Sequence, residues 1–303
     1  MDIKQLITFK NAAENLNFTQ TAKILNFAQS SVTAQIKALE DEMGKPLFER
    51  LGKRLILTEA GHKFKLYAEK MIRLNEEAIM AVNGEEEPTG TLIIGAQESQ
   101  CTYRLPPILK EFKATFPKVK LIFKPAHSDE MARIHLMEGL VDVAFIMDIS
   151  KPEGSLRVEQ LIKEEFKMVI APNHPKPVLS IDDLKDETLL LTEMGCSYRM
   201  MFEDSLKSAG VYPLDKIEFS SIEAIKQCVI AGLGIALLPG MVVKKDIKEG
   251  RMKEIPWKDS TSSLFTQIAW HKDKWMTPPL EAFINITRKI FLSDDYFNQK
   301  GFS

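Results

Sequence analysis

Cysteine is scarce in this 303-residue chain, which carries only Cys101, Cys196 and Cys228. Three thiols so scattered exclude a disulfide framework, and none stands at a zinc-ligand spacing. The five histidines do not cluster either, so no metal or other cofactor is expected. Long apolar runs are missing: no stretch reaches the length of a membrane span. Met1-Asp2-Ile3-Lys4 opens a polar amphipathic helix rather than a secretory leader, and the expectation is a cytoplasmic protein without membrane contact. Catalytic signatures are also lacking, with no Gly-x-Ser-x-Gly elbow, no Gly-rich phosphate loop and no His-Glu-x-x-His, so an enzyme is not expected. The net charge is only −2, and 45% apolar content is ordinary for a globular protein with more than one domain.

The small net charge hides an uneven distribution. Residues 1–75 carry 12 Lys+Arg against 8 Asp+Glu, a net of +4, while residues 76–303 carry 28 against 34, a net of −6. A basic end on an acidic body orients a protein toward phosphates. That basic end reads as two short helices, a tight turn and a hairpin. Thr19 is the expected cap of a helix with Ala22 and Leu25 inward, and Asn26-Phe27 breaks it. A second helix then turns Val32, Ile36 and Leu39 inward and presents Gln29, Ser30, Ser31, Thr33, Ala34 and Lys37 outward. Small polar groups near a helix start suit base edges in a major groove of double-stranded DNA. Arg50, Lys53 and Arg54 lie in or beside the turn between Leu47-Phe48 and Leu55-Ile56-Leu57, where a wing tip reaches phosphates. The competing reading is a solvated amphipathic helix pair.

The spacings resemble those of the LysR-type transcriptional regulators. The matching elements are Phe18-Thr19-x-x-Ala22, Gln29-x-x-Val32-Thr33, Ile36-x-x-Leu39-Glu40, Leu47-Phe48-x-Arg50 and Thr58-x-x-Gly61. Two positions depart: Ala28 stands where the family usually has a capping Ser, and Ala34 where a basic residue is common. The resemblance continues through Gly90-x-Leu92-x-Ile94-Gly95, Gly139-x-Val141-Asp142-Val143-Ala144, Asn173-His174-Pro175 and the run from Ile225 to Pro239. It implies a multidomain protein: an all-α winged helix-turn-helix domain over residues 1–58, a dimerising linker helix and hinge over 59–88, and an α/β effector domain over 89–303. The effector domain is expected to resemble type 2 periplasmic binding proteins, with one lobe about 89–163 plus 266–293 and a second about 164–265. A ligand-responsive regulator follows, acting as a homodimer or dimer of dimers, in contact with a small-molecule effector and with RNA polymerase.

The linker helix is expected from about Glu59 to Glu86, its apolar seam running through Ala60, Phe64, Tyr67, Met71, Leu74 and Ala78. Such a seam packs either on its own domain or on a partner helix. Pro88 and Gly90 then end it. From Thr91 onward, short apolar strands alternate with helical stretches, which predicts mostly parallel sheet covered on both faces.

In such a fold the cleft is lined by strand ends and helix starts, whose unpaired amides and dipoles favour anions. Three segments fit: Gln97–Thr102, His127–Asp129 and Gly195–Arg199. The resemblance implies inducer contacts there, and it carries over to Ser99, Gln100, Thr102, Ser128 and Ser197. Plain helix capping is the competing reading. These short hydroxyls predict a small, polar, anionic effector held by hydrogen bonds rather than by a deep apolar pocket. Arg199 would clamp an oxyanion or pair with Glu203. Cys101 and Cys196 lie in these segments and count with Arg199 among the expected effector-binding residues; they also stand at expected helix starts, where a thiol pKa is lowered, so a redox-switched regulator using either one is the alternative function. Peroxide-sensing members of the family keep a second cysteine shortly after the reactive one, and residues 197–210 contain none. Cys228, beside Ile225 and Val229, reads as core. Flexing between lobes is expected near Lys163 and Ser262–Phe265.

Overall fold

A computed structural model describes residues 1–52, 54–83, 88–149, 154–175, 180–256 and 263–292. The chain divides into two units, Met1–Thr91 and Leu92–Ser303, each with its own core.

The first unit begins with a reciprocal cap. Asp2 accepts from the Gln5 amide while the Gln5 side chain accepts from the Asp2 amide, and α1 (Ile3–Asn15) follows. Next come α2 (Phe18–Leu25), α3 (Gln29–Met43), the hairpin β1 (Phe48–Leu51) and β2 (Arg54–Leu57), and α4 (Glu59–Asn83). The cap of α2 is Asn17, not Thr19: its side chain accepts from Gln20 N at 3.0 Å, and Thr19 is an exposed residue inside the helix. The earlier start lets Phe18 meet Phe48 edge-on at 5.3 Å. Asn26, in a left-handed conformation at φ 54°, ends α2 as the sequence indicates. Val32, Ile36 and Leu39 are buried with Phe9, whose ring sits 4.8 Å from Phe64.

The apolar seam of α4 divides between two environments. Ala60, Phe64 and Met71 pack on the core of their own unit beside the buried Ala68 and Ile72, whereas Tyr67 and Leu74 stay 61% and 65% exposed. A helix packed along one side on α1 has room for only part of a wide stripe. The expected extension to Glu86 and the hinge residues before Pro88 lie outside the described residues.

The second unit contains two sheets. Chain order is β3 (Thr91–Ala96), α5 (Glu98–Tyr103), α6 (Leu105–Thr115), β4 (Lys120–Pro125), α7 (Asp129–Met137), β5 (Val143–Asp148) and β6 (Leu156–Lys163). There follow β7 (Phe166–Ile170), a 3-10 turn at Ile181–Asp186, β8 (Thr188–Thr192), α8 (Ser197–Ser208), β9 (Asp215–Phe219), α9 (Ile222–Ile230), β10 (Ala236–Pro239), α10 (Gly240–Lys248) and β11 (Lys253–Ile255). The chain returns through β12 (Phe265–His271) and ends its described part in α11 (Pro278–Leu292).

The first sheet has the order β4-β3-β5-β12-β6, and the second joins β10-β7-β11 to the parallel pair β8-β9 through a bridge from Leu189 to Ile235. The expectation of mostly parallel pairing is corrected. β12 runs antiparallel to both β5 and β6, and β7 antiparallel to both β10 and β11. Strands that carry the chain between lobes enter each sheet against its direction, so the pairing becomes mixed. The helical stretch breaks at Arg104 between α5 and α6, because Pro106 and Pro107 supply no amides and must lie in the first turn of α6. Phe112 and Phe283 meet edge-on at 5.7 Å where α6 and α11 cover one face of the first sheet.

Three motif segments converge in the first unit. Glu40 accepts from the Leu47 and Phe48 amides at 2.7 and 3.0 Å, and Thr58 donates to Pro46 O at 2.7 Å while accepting from Gly61 N at 2.9 Å. A Cβ at Gly61 would stand 2.0 Å from the Leu47 carbonyl oxygen. Gly61→Ala is therefore expected to destabilise this unit by about 1–3 kcal/mol. All three tryptophans lie beyond residue 91, so urea unfolding followed by circular dichroism should show the loss while tryptophan fluorescence keeps its wild-type midpoint.

Candidate functional site

The outward face of α3 holds Gln29, Ser30, Ser31, Thr33, Ala34 and Lys37, all exposed. Thr33 Oγ1 donates to Gln29 O at 3.0 Å, so its oxygen faces other partners only as an acceptor. Ala28 caps α3 without a side-chain hydrogen bond; its carbonyl accepts from the Ser31 and Val32 amides, which leaves those of Gln29 and Ser30 for an external acceptor such as a phosphate. Arg50 shares a groove with Thr33, Lys37 and Lys45 between α3 and the hairpin. Pairing of Arg50 with Leu55 and of Leu51 with Arg54 places the two arginines on opposite faces of that hairpin. Lys53 lies outside the described residues, and Thr19 projects from α2 rather than capping it.

In the second unit the two lobes enclose a cavity of about 440 Å³. The first lobe contributes the α5 start from Ala96 to Cys101 and the segment from Phe123 to His127; the second contributes Thr192–Tyr198 and Phe219–Ile222. Of the residues expected to bind effector, Ser99, Cys101 and Cys196 line this space. The other five stand elsewhere. Gln100 is buried and donates to Thr266 Oγ1 at 2.7 Å, Thr102 is exposed on α5, and Ser128 caps α7 through Met131 N at 3.1 Å. Ser197 donates to Asp129 at 2.7 Å. Arg199 is buried against Thr192 O and Glu218, the latter at 2.7 Å, with Glu203 at 3.5 Å. These partners hold Arg199 in the second lobe as a structural cation.

Of the three helix starts expected to favour an anion, that of α7 is capped by Ser128, while those of α5 and α8 have no side-chain cap. Glu98 reaches across from the first lobe and accepts from Ser221 Oγ at 2.8 Å and from Ile222 N at 2.7 Å, so its carboxylate caps α9. Nearby, Tyr103 donates to Glu223 at 3.0 Å and accepts from Lys226 at 3.0 Å. On the other flank Ser197 meets Asp129 between lobes, and Gly195, at φ +89°, brings the second lobe so close that a Cβ there would be 3.2 Å from Ser128 Cβ. The lining is also more apolar than the sequence suggested, with Phe123, Pro125, Tyr198, Phe219 and Ile222 around it.

Sequence reasoning passed over Glu98, Asp129, Glu193 and Phe219. Glu98 and Asp129 stood inside segments already singled out, but their partners Ser221 and Ser197 are 123 and 68 residues away, a pairing without local signal. The two cysteines behave as thiols. Burial pushes Cys101 up, with Glu98 adding to it, and burial also pushes Cys196 up. Both shifts run opposite to the lowering that activates a sensing thiol.

Taken together, an exposed polar recognition helix beside a hairpin and a separate two-lobed unit around a cavity define a ligand-receiving DNA-binding regulator. The model of the "Bacterial regulatory helix-turn-helix protein, lysR family" matches residues 3–62, and that of the "LysR substrate binding domain" matches residues 85–291. The chain belongs to the LysR family of transcriptional regulators. It is 63% identical over 294 residues to a Bacillus subtilis (strain 168) protein named "Uncharacterized HTH-type transcriptional regulator YwqM", covering 96% of this chain and 100% of that one. It is 34% identical to "HTH-type transcriptional regulator GltR" of the same organism, over 96% and 97% of the two chains. Among solved structures, CbnR, "a LysR family transcriptional regulator", aligns with TM-score 0.69 at 21% identity, over 95% of this chain and 99% of that one. The likeness to CbnR is one of fold.

Asp129 is a buried titratable group between the lobes. It accepts from Ser197, Met147 N and Gln97, yet burial outweighs these bonds and pushes its pKa up from 3.8 to about 6. A raised carboxyl pKa means that the folded state holds the proton more tightly than the unfolded chain does. The associated stability is present in full below pH about 4 and is lost as pH rises through about 6. Relative to Asp129→Asn, the wild type should lose on the order of 2–3 kcal/mol across that window. Urea midpoints of both proteins between pH 4 and 7 check this; parallel curves would remove Asp129 as the titrating group.

Proposed function

We propose that this regulator binds double-stranded DNA as a homodimer through α3 and the hairpin, and that a small molecule in the interlobe cavity changes how it controls a promoter. The observation that carries the reading is the exposed polar face of α3, whose helix start lacks a side-chain cap. Gln29 and Ser30 supply the base-reading groups, with Ser31, Thr33, Ala34 and Lys37 beside them along the groove. Arg50, Lys53 and Arg54 hold phosphates, and Thr19 on α2 does the same from the other side. Two such units on one operator double the phosphate contacts and set the half-site spacing.

Tyr67, Leu74 and Ala78 support dimerisation through α4. They form the part of the seam that remains exposed after the other part has packed on its own core. A pair of dimers in contact with RNA polymerase extends this reading. For the switch, the ligand must favour one lobe arrangement over another, and it does so through Ser99, Cys101 and Cys196 at the cavity wall together with the bonds that cross it. The raised thiols favour ligand binding over thiol oxidation as the signal.

Footprinting on the DNA flanking its own gene tests the assignment. Gln29→Ala should lower discrimination at one base pair by about 1–3 kcal/mol while leaving nonspecific affinity unchanged. Equal discrimination by mutant and wild type would remove Gln29 from base reading.

Leu74→Asp places a charge where the partner helix is expected, and because Leu74 is exposed, the fold of the protomer should survive. Sedimentation should then show monomers with wild-type circular dichroism, and the footprint should disappear. A Leu74→Asp dimer that still footprints would place the dimer contact elsewhere.

A further inference from the structure

The helix starts beside the interlobe cavity favour an anion, whereas its ionisable side chains are mainly acidic. Among the described residues, the ionisable side chains lining it include Glu98, Glu193 and His127; neither Lys nor Arg is among them. Glu98 already occupies the amide and hydroxyl donors at the start of α9. An anion entering there would have to displace a carboxylate of this chain and then lie beside it. His127 offers little compensation, because its ring faces Glu193 at 3.4 Å. Behind the wall, the carboxyl of Asp129 adds further negative charge whenever it is ionised.

The remaining lining fits an organic cation. Phe123, Tyr198 and Phe219 bring aromatic rings to the space, and Pro125 and Ile222 complete an apolar surface. Ring faces and carboxylates together recognise ammonium groups: the rings attract the cation through their quadrupole while the carboxylates pair with its charge. The volume of about 440 Å³ lies in the range that holds a small organic molecule.

We infer that the cavity takes a small ammonium compound, a cationic amine on an apolar body, held between Glu193 and Glu98 against the rings of Phe123, Tyr198 and Phe219. The inference rests on this cavity being the effector site of the proposed regulator. It deepens that reading by naming the chemical class of the effector. An amine drawn to Glu98 competes for the carboxylate that caps α9, so its arrival weakens a bond holding the lobes together.

Cys101 lines the cavity and serves as a built-in reporter. Full-length protein is treated with two methanethiosulfonates of similar size, one bearing a trimethylammonium group and the other a sulfonate. The rate of modification at Cys101 is read by peptide mass. Because both reagents attack the same thiol, the ratio of rates reports the charge of the cavity and cancels the reactivity of the sulfur. Divided by the ratio for a small free thiol, it should favour the cation by about tenfold or more. The preference should shrink in Glu193→Gln, whose side chain is half exposed and tolerates the change, and shrink further when Glu98→Gln is added.

A ratio near that of the free thiol, or one favouring the sulfonate, overturns the inference. So does an undiminished preference in the double variant, which would assign the selectivity to other groups. Absence of modification by either reagent overturns it too, by denying ligand-sized access to the cavity. Footprinting of the unmodified protein reads the regulator assignment separately, so the two failures are distinguishable.

Discussion

The second unit depends on a buried ion pair at the crossing between lobes. Arg104 donates to both oxygens of Glu164, at 2.8 and 3.0 Å, Thr266 donates to Glu164 at 2.7 Å, and Gln100 donates to Thr266. All four side chains are buried, and Glu164 N bonds Leu264 O at 2.9 Å, so the two connecting segments run side by side. Removing one partner of such a pair leaves a buried charge uncompensated, at a cost of about 3–5 kcal/mol. The network spans α5, the residue after β6 and β12. It therefore joins one wall of the cavity to both connections between the lobes.

That arrangement gives the cavity a mechanical consequence. Two adjacent segments permit the lobes to rotate about one line, and polar contacts between the lobes oppose that rotation: Glu98 on α9, Tyr103 with Glu223 and Lys226, and Ser197 on Asp129. All three are polar, and the bond of Glu98 to α9 lies in the cavity lining. The lobe cores are apolar and closely packed, and their shape changes little under the same perturbation.

The first unit obeys a different logic. Its recognition helix has to be presented rigidly, and the bonds of Glu40 to Leu47 and Phe48, of Thr58 to Pro46, and the close approach at Gly61 tie α3, the hairpin and α4 into one knot. Three of the spacings that identify the family are therefore structural devices. Gln29 and Thr33 belong to another of those spacings, and they stand with Ser30, Ser31, Ala34 and Lys37 on the exposed face of α3.

Sequence alone determined whatever depends on short-range order: the two-helix pair with Val32, Ile36 and Leu39 inward, the break at Asn26, the hairpin, the long α4, and most strands of the second unit. Each is written in periodicity, capping chemistry and turn residues within a dozen positions. Strand β6 was missed because Arg157, Glu159 and Gln160 interrupt its apolar pattern, and α10, β11 and α11 carried no recognised motif. Tertiary structure decided the rest. It set the antiparallel insertion of β12, divided the α4 seam, turned Arg199 into a structural cation and placed Glu98 on the start of α9. A helix start looks like an anion site in one dimension. The start of α9 is filled by the carboxylate of Glu98, which lies 124 residues earlier in the chain, and that distance closes only when the chain has folded.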